Sequence, residues 1–364
     1  MSNRFKNRNV LAWYQWIFLR HDPLPAISIY FLSKRNSTSP RFYPLYENST
    51  KLRIVLFTGS RLPYFDRIYL QLLPYFIQIF RKKFSRYRIM FLFGLGKSSS
   101  PLTNQVLHFD DPEYTKPELE SILAWENKKL LQGFRTAVLC TSDYTGNYLV
   151  ENKVQSEVLV IPQGHSYPGE IRPRTQKMKK QSAESIKLAY ASPYMHSKGD
   201  VHAGHINWDI TEFFSEIVPE LLEIKNLEIH LVGEVGKSAG KLLPIDSRII
   251  KHGLVDVATC SEILSSCDIG LYPRKKDNKR QAQKISEYLG AELAVISFRL
   301  VDAGLVEKFA AGVLVDNNRE FVDAVLNLCD DPLKLQDLQR NARIASTQLR
   351  WEQLGKILDR ICVS

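Results

Sequence analysis

From Lys51 to Ile361 short apolar runs of three to seven residues alternate with longer stretches of helical period, and nothing else constrains the fold as strongly. A strand, a helix of ten or more residues and a further strand can join one sheet only by a crossover, so the strands pair in parallel and helices cover both faces. The first set of expected strands is Arg53–Thr58, Arg88–Phe93, Val106–Phe109, Thr136–Thr141 and Val158–Ile161, with helices over 64–84, 117–133 and 142–151. The second set is Ile186–Ser192, Leu227–Val232, Ile249–His252, Ile269–Tyr272, Ala294–Ser297 and Val313–Val315. Helices are expected between these at 210–223, 259–266, 281–289 and 303–309, and after them at 319–329, 333–347 and 351–361. The two sets are parted by Tyr167–Glu184, a polar stretch with Pro168, Gly169, Pro173 and clustered Lys and Arg, which reads as a linker. The expected organisation is a lead-in over 1–50, an α/β domain over 51–167, a linker over 168–185, a second α/β domain over 186–350 and a terminal helix over 351–364. Both domains read as doubly wound, so ligands belong beyond the carboxyl ends of the strands.

Charge divides the chain unevenly. Residues 1–167 hold 22 Lys and Arg against 12 Asp and Glu, whereas residues 168–364 hold 27 of each. Within 1–105 there are 17 basic and 3 acidic residues, so that stretch attracts an anionic partner. Tyr64–Arg88 mixes aromatics with Arg81, Lys82, Lys83 and Arg86, and Trp13, Trp16 and Phe18 form a second aromatic-basic cluster. That composition suits an interfacial helix on an anionic leaflet; an ordinary core helix with a basic last turn is the alternative. No segment approaches the roughly 18 apolar residues of a membrane span. The apolar run Trp13–Leu19 is broken by Gln15 and followed by Arg20, His21 and Asp22 rather than a small-residue cleavage site, so the expectation is an unprocessed, cytosolic protein. Five scattered cysteines without a C-x-x-C pair or a neighbouring His cluster point to buried thiols, not zinc.

The chemistry concentrates near Lys284 and Glu287. Three residues apart, they share one face of a helix that opens just after a strand-end loop. A helix N-terminus suits a diphosphate, and a carboxylate one turn in suits a ribose diol. An exposed ion pair fits the same spacing, and the residues alone leave both readings open.

Cys267-Asp-Ile-Gly-Leu-Tyr-Pro273, then Lys284-x-x-Glu287-Tyr-Leu-Gly290 and Ala294-Val-Ile-Ser297, resemble the donor half of GT-B glycosyltransferases, nearest to the group 1 (family 4-like) retaining enzymes. Ser142–Gly164, Lys198-Gly199, His230-Leu-Val-Gly233, Asp331-Pro332 through Asn341-Ala342 and Trp351 follow in the family's order, so the resemblance covers about 136–361. It implies two Rossmann-like domains facing across a cleft, a nucleotide-diphosphate sugar as donor, and no cofactor or metal. It makes Glu287 the ribose ligand and Lys198 the cation on the departing diphosphate, with Lys284, Gly233, Pro273 and Arg274 around the donor. In the first half it places Gly59 and Ser60 at a strand-end turn that lets backbone approach substrate, and Arg61 as a phosphate contact. His108 and Asp110 become candidates to orient an acceptor hydroxyl or support leaving-group departure, with an Asx turn before Pro112 as the alternative for the Asp.

One position departs from the family's pattern. A second glutamate is common eight residues before the ribose ligand, and here that position is Lys279, in a loop with Arg274, Lys275, Lys276 and Arg280. Lys279 and Arg280 are therefore expected to grip phosphates of the donor or acceptor. The expected partners are a nucleotide sugar, a glycan, glycolipid or lipid-phosphate acceptor, and an anionic membrane surface at the cytoplasmic face. A non-catalytic sugar-binding subunit and, behind it, a nucleic-acid binder are the alternatives; no nucleic-acid motif accompanies the charge.

Overall fold

The computed structural model describes residues 136–165, 185–197, 200, 210–276 and 281–363, the last six by backbone only. It also describes the backbone of four earlier strands and the two helical residues Leu123 and Asn127. These residues form two six-stranded, wholly parallel sheets.

The first sheet runs in chain order: β1 (Ile27–Ile29), β2 (Ile54–Thr58), β3 (Ile89–Phe93), β4 (Gln105–Phe109), β5 (Thr136–Cys140) and β6 (Glu157–Val160). Among the described residues its strands follow chain order. β1 lies inside the stretch 1–50, where no period is visible. Three residues are too few to show one, and the strand exists by pairing Ile27 with Ile54 and Ile29 with Leu56. The helix expected over 64–84 lies outside the described residues. In the one expected over 117–133, Leu123 packs on Val138, Cys140 and Leu149. Between β5 and β6 runs α1 (Asp143–Glu151), capped by Ser142, whose Oγ accepts from the Thr145 N–H at 3.2 Å.

The second sheet contains β7 (Ile186–Met195), β8 (Leu227–Val235), β9 (Ile249–Gly253), β10 (Ile269–Tyr272), β11 (Ala294–Phe298) and β12 (Gly312–Val315), ordered β12-β11-β10-β7-β8-β9. The chain starts in the middle, winds out through β8 and β9, then returns to wind the other way. That reversal is the Rossmann order, with its switch point between β7 and β10. Alternate strand residues feed two cores. On one face Leu188, Ile229, Leu271 and Ile296 meet a π-helical turn (Phe213–Ile217), α2 (Val218–Leu222) and α7 (Asn318–Asp330). On the other, Ala189, Val232, Tyr272 and Val295 meet α4 (Val257–Ser266), α5 (Gln283–Gly290), α6 (Gly304–Lys308) and α8 (Pro332–Gln348). A short α3 (Lys237–Gly240) follows β8, and α9 (Trp351–Val363) ends the described chain.

β7 and β8 run three residues past their expected ends at Ser192 and Val232, through irregular pairing after Ala191 and at Val232–Gly233. Pro193 has no N–H for the ladder, so the sequence reads as an end where the strand in fact continues across a bulge.

Beyond β6 the chain leaves the first sheet and is bound by the second half. Ser286 Oγ donates to the Gln163 carbonyl at 2.5 Å and Gln283 Nε2 to the Gly164 carbonyl at 3.3 Å. The His165 N–H donates to the Leu349 carbonyl at 3.0 Å, and its ring Nε2 donates to the Ser346 carbonyl at 2.9 Å. A side chain at Gly164 would meet the Leu349 oxygen at 2.7 Å, so the close approach requires glycine. Burial holds the His165 ring down at a pKa of about 4, with the Ser346 carbonyl opposing and Arg350 assisting. A histidine lowered on folding binds its proton in the unfolded chain first, so stability falls as pH drops from about 6.5 towards about 4. We expect the urea stability to decrease by about 2 kcal/mol between pH 7 and pH 5 through this group, at about 1.4 kcal/mol per unit. His165→Asn, which keeps a donor for Ser346 without titrating, should remove that part of the slope; an unchanged slope would assign it elsewhere.

Candidate functional site

The site is built where β7 and β10 part. Their pairing is limited to Leu188–Ile269 and Ala189–Gly270. One residue further on, the Tyr288 hydroxyl takes the place of the ladder: it accepts from the Ala191 N–H at 3.0 Å and donates to the Leu271 carbonyl at 3.1 Å. Tyr288 is fully buried, and it can lie this close only because a Cβ is absent at Gly270, where one would stand 2.6 Å from the ring. One phenol thus wedges the carboxyl end of the sheet open and fastens α5 to both central strands.

α5 carries the two residues that the sequence singled out. Its N-cap, Ala282, makes no side-chain cap bond, so no side chain of the cap position competes for the first-turn N–H groups. Lys284 is only 7% exposed, which rules out a solvated surface pair. Its ammonium stands 4.7 Å from the centroid of the Tyr190 ring and 3.4 Å from that residue's hydroxyl. Glu287 is half-buried on the side of α4: burial and then the Glu287 charge push the Cys260 thiol up to about 11.

The cationic loop after β10 is tied down at its start. Arg274 is buried, not offered to solvent, and lies 3.9 Å from the buried Asp302, which also accepts from the Tyr272 hydroxyl at 2.9 Å. Lys275 is paired with Glu212 and sits 5.4 Å from the Phe298 ring centroid. Asn318 Nδ2 bonds Glu212 at 2.9 Å and Glu216 at 2.8 Å, tying this pair to α7. Pro273 is half-buried between these two groups. The loop's first two cations are therefore engaged by carboxylates distant in sequence, Arg274 inside the fold and Lys275 at its surface. Lys279 and Arg280 lie outside the described residues.

Gly233 has φ +133°, and a side chain there would overlap the Ser192 carbonyl oxygen. Next to it, the Asp200 carboxylate binds three backbone groups: the N–H of Ser197 at 2.9 Å, of Ser238 at 2.7 Å and of Ala239 at 3.2 Å. Burial alone raises this carboxyl, but the three N–H donors outweigh it and hold the pKa at about 2. Ser197 and Asp200, on either side of Lys198 and Gly199 in the chain, are thereby fixed to the start of α3; Lys198 itself lies outside the described residues.

Lys284, Glu287, Pro273, Arg274 and Gly233 are brought to one end of the second sheet. Tyr190, Tyr288, Asp200 and Asp302 join them without having been singled out in the sequence. Gly59, Ser60, Arg61 and Asp110 lie outside the described residues, as do Trp13, Trp16, Arg81, Lys82, Lys83 and Arg86. His108 is placed by backbone only, on β4 opposite Leu92 and Leu139. Among the described residues no helix is long and apolar enough to cross a membrane, and no group of three or more His, Cys, Asp or Glu could hold a metal ion.

No protein-family model matches the chain, and no curated protein matches it either. Solved structures do. WaaG, a glycosyltransferase involved in lipopolysaccharide biosynthesis, is 12% identical with a TM-score of 0.52, over 93% of this chain and 99% of WaaG. Anabaena HepE, solved with UDP-glucose, is 13% identical with a TM-score of 0.54, over 92% of this chain and 97% of HepE. TarM of S. aureus, solved with UDP and sugar ligands, is 13% identical with a TM-score of 0.53; 80% of this chain matches, spanning 58% of TarM. At such identities the likeness is one of architecture: the chain has the GT-B fold of these glycosyltransferases.

Proposed function

We propose that this chain transfers a sugar from a nucleotide-diphosphate donor to a lipid-linked, glycan or phosphorylated acceptor, in the assembly of a surface glycan or glycolipid. The observation that carries the reading is the placement of Lys284 and Glu287 on the helix that opens at the switch point of a Rossmann-ordered sheet. The UDP-glucose of HepE and the UDP of TarM support a nucleotide sugar as donor. In the reaction the bond from the sugar's C1 to the diphosphate breaks, its electron pair leaves on the diphosphate oxygen, and the acceptor hydroxyl bonds to C1 as it loses its proton. Lys198 and Lys284 take the growing negative charge, a role for which fixed cations suffice. His108 and Asp110 are assigned to the acceptor hydroxyl and the leaving group. Retention of the anomeric configuration is the outcome the family resemblance favours.

Glu287→Ala is expected to weaken nucleotide binding about 100-fold, since two hydrogen bonds to a carboxylate contribute roughly 3 kcal/mol together. A thermal-shift series with UDP, GDP, ADP and CMP identifies the nucleotide, because a ligand at 100 times its Kd adds about 2.7 kcal/mol. Unchanged affinity in the variant would sink the ribose assignment. Slow hydrolysis of the matching nucleotide sugar by the purified protein separates an enzyme from the sugar-binding subunit that Lys279 suggests.

The membrane half of the proposal rests on the charge of residues 1–105. Each basic residue near an anionic surface contributes about 1 kcal/mol, so four suffice for reversible attachment. The protein should sediment with anionic but not neutral vesicles and come off as salt rises. Exchanging Arg81, Lys82, Lys83 and Arg86 for Ser should weaken this without changing nucleotide affinity. Binding to neither vesicle assigns the basic stretch to a phosphorylated acceptor. Salt-sensitive binding to DNA or RNA without vesicle binding would favour the nucleic-acid alternative.

A further inference from the structure

We propose that Tyr190 is the positioning residue for the Lys284 ammonium, its ring face and hydroxyl seating that cation at the open end of the second sheet, where the donor's diphosphate is bound. The assignment rests on the donor-site reading above and adds to it a specific source of the lysine's placement.

The geometry is unusual for a lysine on a sheet-covering helix. Ile285, Tyr288 and Leu289 of α5 pack into the core on one face of the sheet, whereas Tyr190 belongs to the core on the other. The Lys284 side chain therefore crosses the level of the sheet to reach Tyr190, and it does so where the Tyr288 hydroxyl has parted β7 from β10. Beyond that point its ammonium lies over the Tyr190 ring, 4.7 Å from the centroid. At that range the negative face of the ring attracts a cation, the more so when both are shielded from water. Lys284 is 7% exposed and Tyr190 is 4% exposed.

Tyr190 is itself held. The Phe213 ring lies 5.4 Å from it, centroid to centroid. Phe213 opens the π-helical turn, so the local widening of that helix sits where the contact with Tyr190 is made. Burial pushes the Tyr190 phenol above its usual range, which keeps its hydroxyl protonated beside the lysine. A flexible four-carbon lysine stem has many rotamers, and an ammonium free among them is a poor fixed charge. Seated on a buried ring, it is preorganised before the donor arrives.

The test compares affinities of the best-binding nucleoside diphosphate among UDP, GDP and ADP with that of its monophosphate. Lys284→Gln should weaken the diphosphate roughly tenfold and the monophosphate far less. Tyr190→Leu should reproduce that ratio, and the double variant should show no further change, since a seat without its cation has nothing left to position. Phenylalanine carrying increasing ring fluorination at position 190 gives the same answer in a side chain of native shape. Diphosphate affinity should fall stepwise as the ring quadrupole is drained, with the melting temperature held. A changed ratio in Lys284→Gln, with no change in folded Tyr190→Leu or along the fluorinated series, would overturn the seat. An unchanged ratio in Lys284→Gln, alongside a weakened Glu287→Ala, overturns it too while the donor site stands. A parent protein that binds no diphosphate removes the donor site and this assignment with it.

Discussion

A single methyl group added at Gly233 is expected to unfold the second half of the chain. The residue sits at φ +133°, a region that side chains with a Cβ rarely adopt, and the added carbon would overlap the carbonyl oxygen of Ser192 on the neighbouring strand. Neither party has room to yield. Ser192 is held by its own Oγ bond to the Tyr194 carbonyl at 2.9 Å, and β7 continues to Met195, which binds the Gly236 N–H at 2.8 Å. Gly236 in turn closes on the Asp200 carboxylate, where a Cβ would stand 2.5 Å from its oxygen. Backbone strain and a displaced central strand together should cost Gly233→Ala more than about 4 kcal/mol, near the extreme for one substitution. Chemical denaturation followed at the tryptophans reads the loss directly. A variant within about 1 kcal/mol of the parent would mean that the bulge between β7 and β8 relaxes freely.

The second large effect is kinetic. Lys198→Ala should lower turnover about 100- to 1,000-fold while weakening the donor's ground-state affinity less than tenfold. Charge on the departing diphosphate grows as the C1 bond stretches, so a cation aimed at it contributes most at the transition state. The residues next to that lysine in the chain are well held: the Asp200 carboxylate clasps the N–H groups of Ser197, Ser238 and Ala239. Single-turnover rates compared with equilibrium titration of the donor give the two losses separately. Equal losses in rate and affinity would show uniform binding and take the catalytic part away from Lys198.

Where burial is two-sided, the sequence is easy to read. β10 and β11 are almost wholly apolar, with Ser297 the polar exception, and buried along their whole length, and they lie where their hydrophobicity puts them. Legibility fails where a partner far along the chain decides. Pro193 reads as a strand end, but the ladder resumes at Tyr194 opposite Glu234. Ile27–Ile29 becomes a strand through Ile54–Leu56 alone. Arg274 sits in a loop of five cations, and its partner Asp302 lies 28 residues further along the chain. The spacing of Lys284 and Glu287 identified the helix and the end of the sheet at which it opens. What the spacing cannot carry is the tyrosine next to Glu287, which parts two strands, or the one on β7 that receives the lysine. Both depend on Gly270 and on the switch point, which exist only once the strands are ordered.

The grip of the second half on Gln163, Gly164 and His165 has a consequence for dissecting the molecule. Composition invites a cut in the polar stretch 167–184, yet a fragment beginning there would lose a strap that fills the groove between α5, Leu349 and Trp351. The Ser286 hydroxyl would lose its acceptor two positions from Lys284, and the Ser346 carbonyl would lose its imidazole. A fragment that keeps these contacts therefore begins upstream of the strap, near Ile161, and the first sheet cannot be removed cleanly without leaving this piece of it behind.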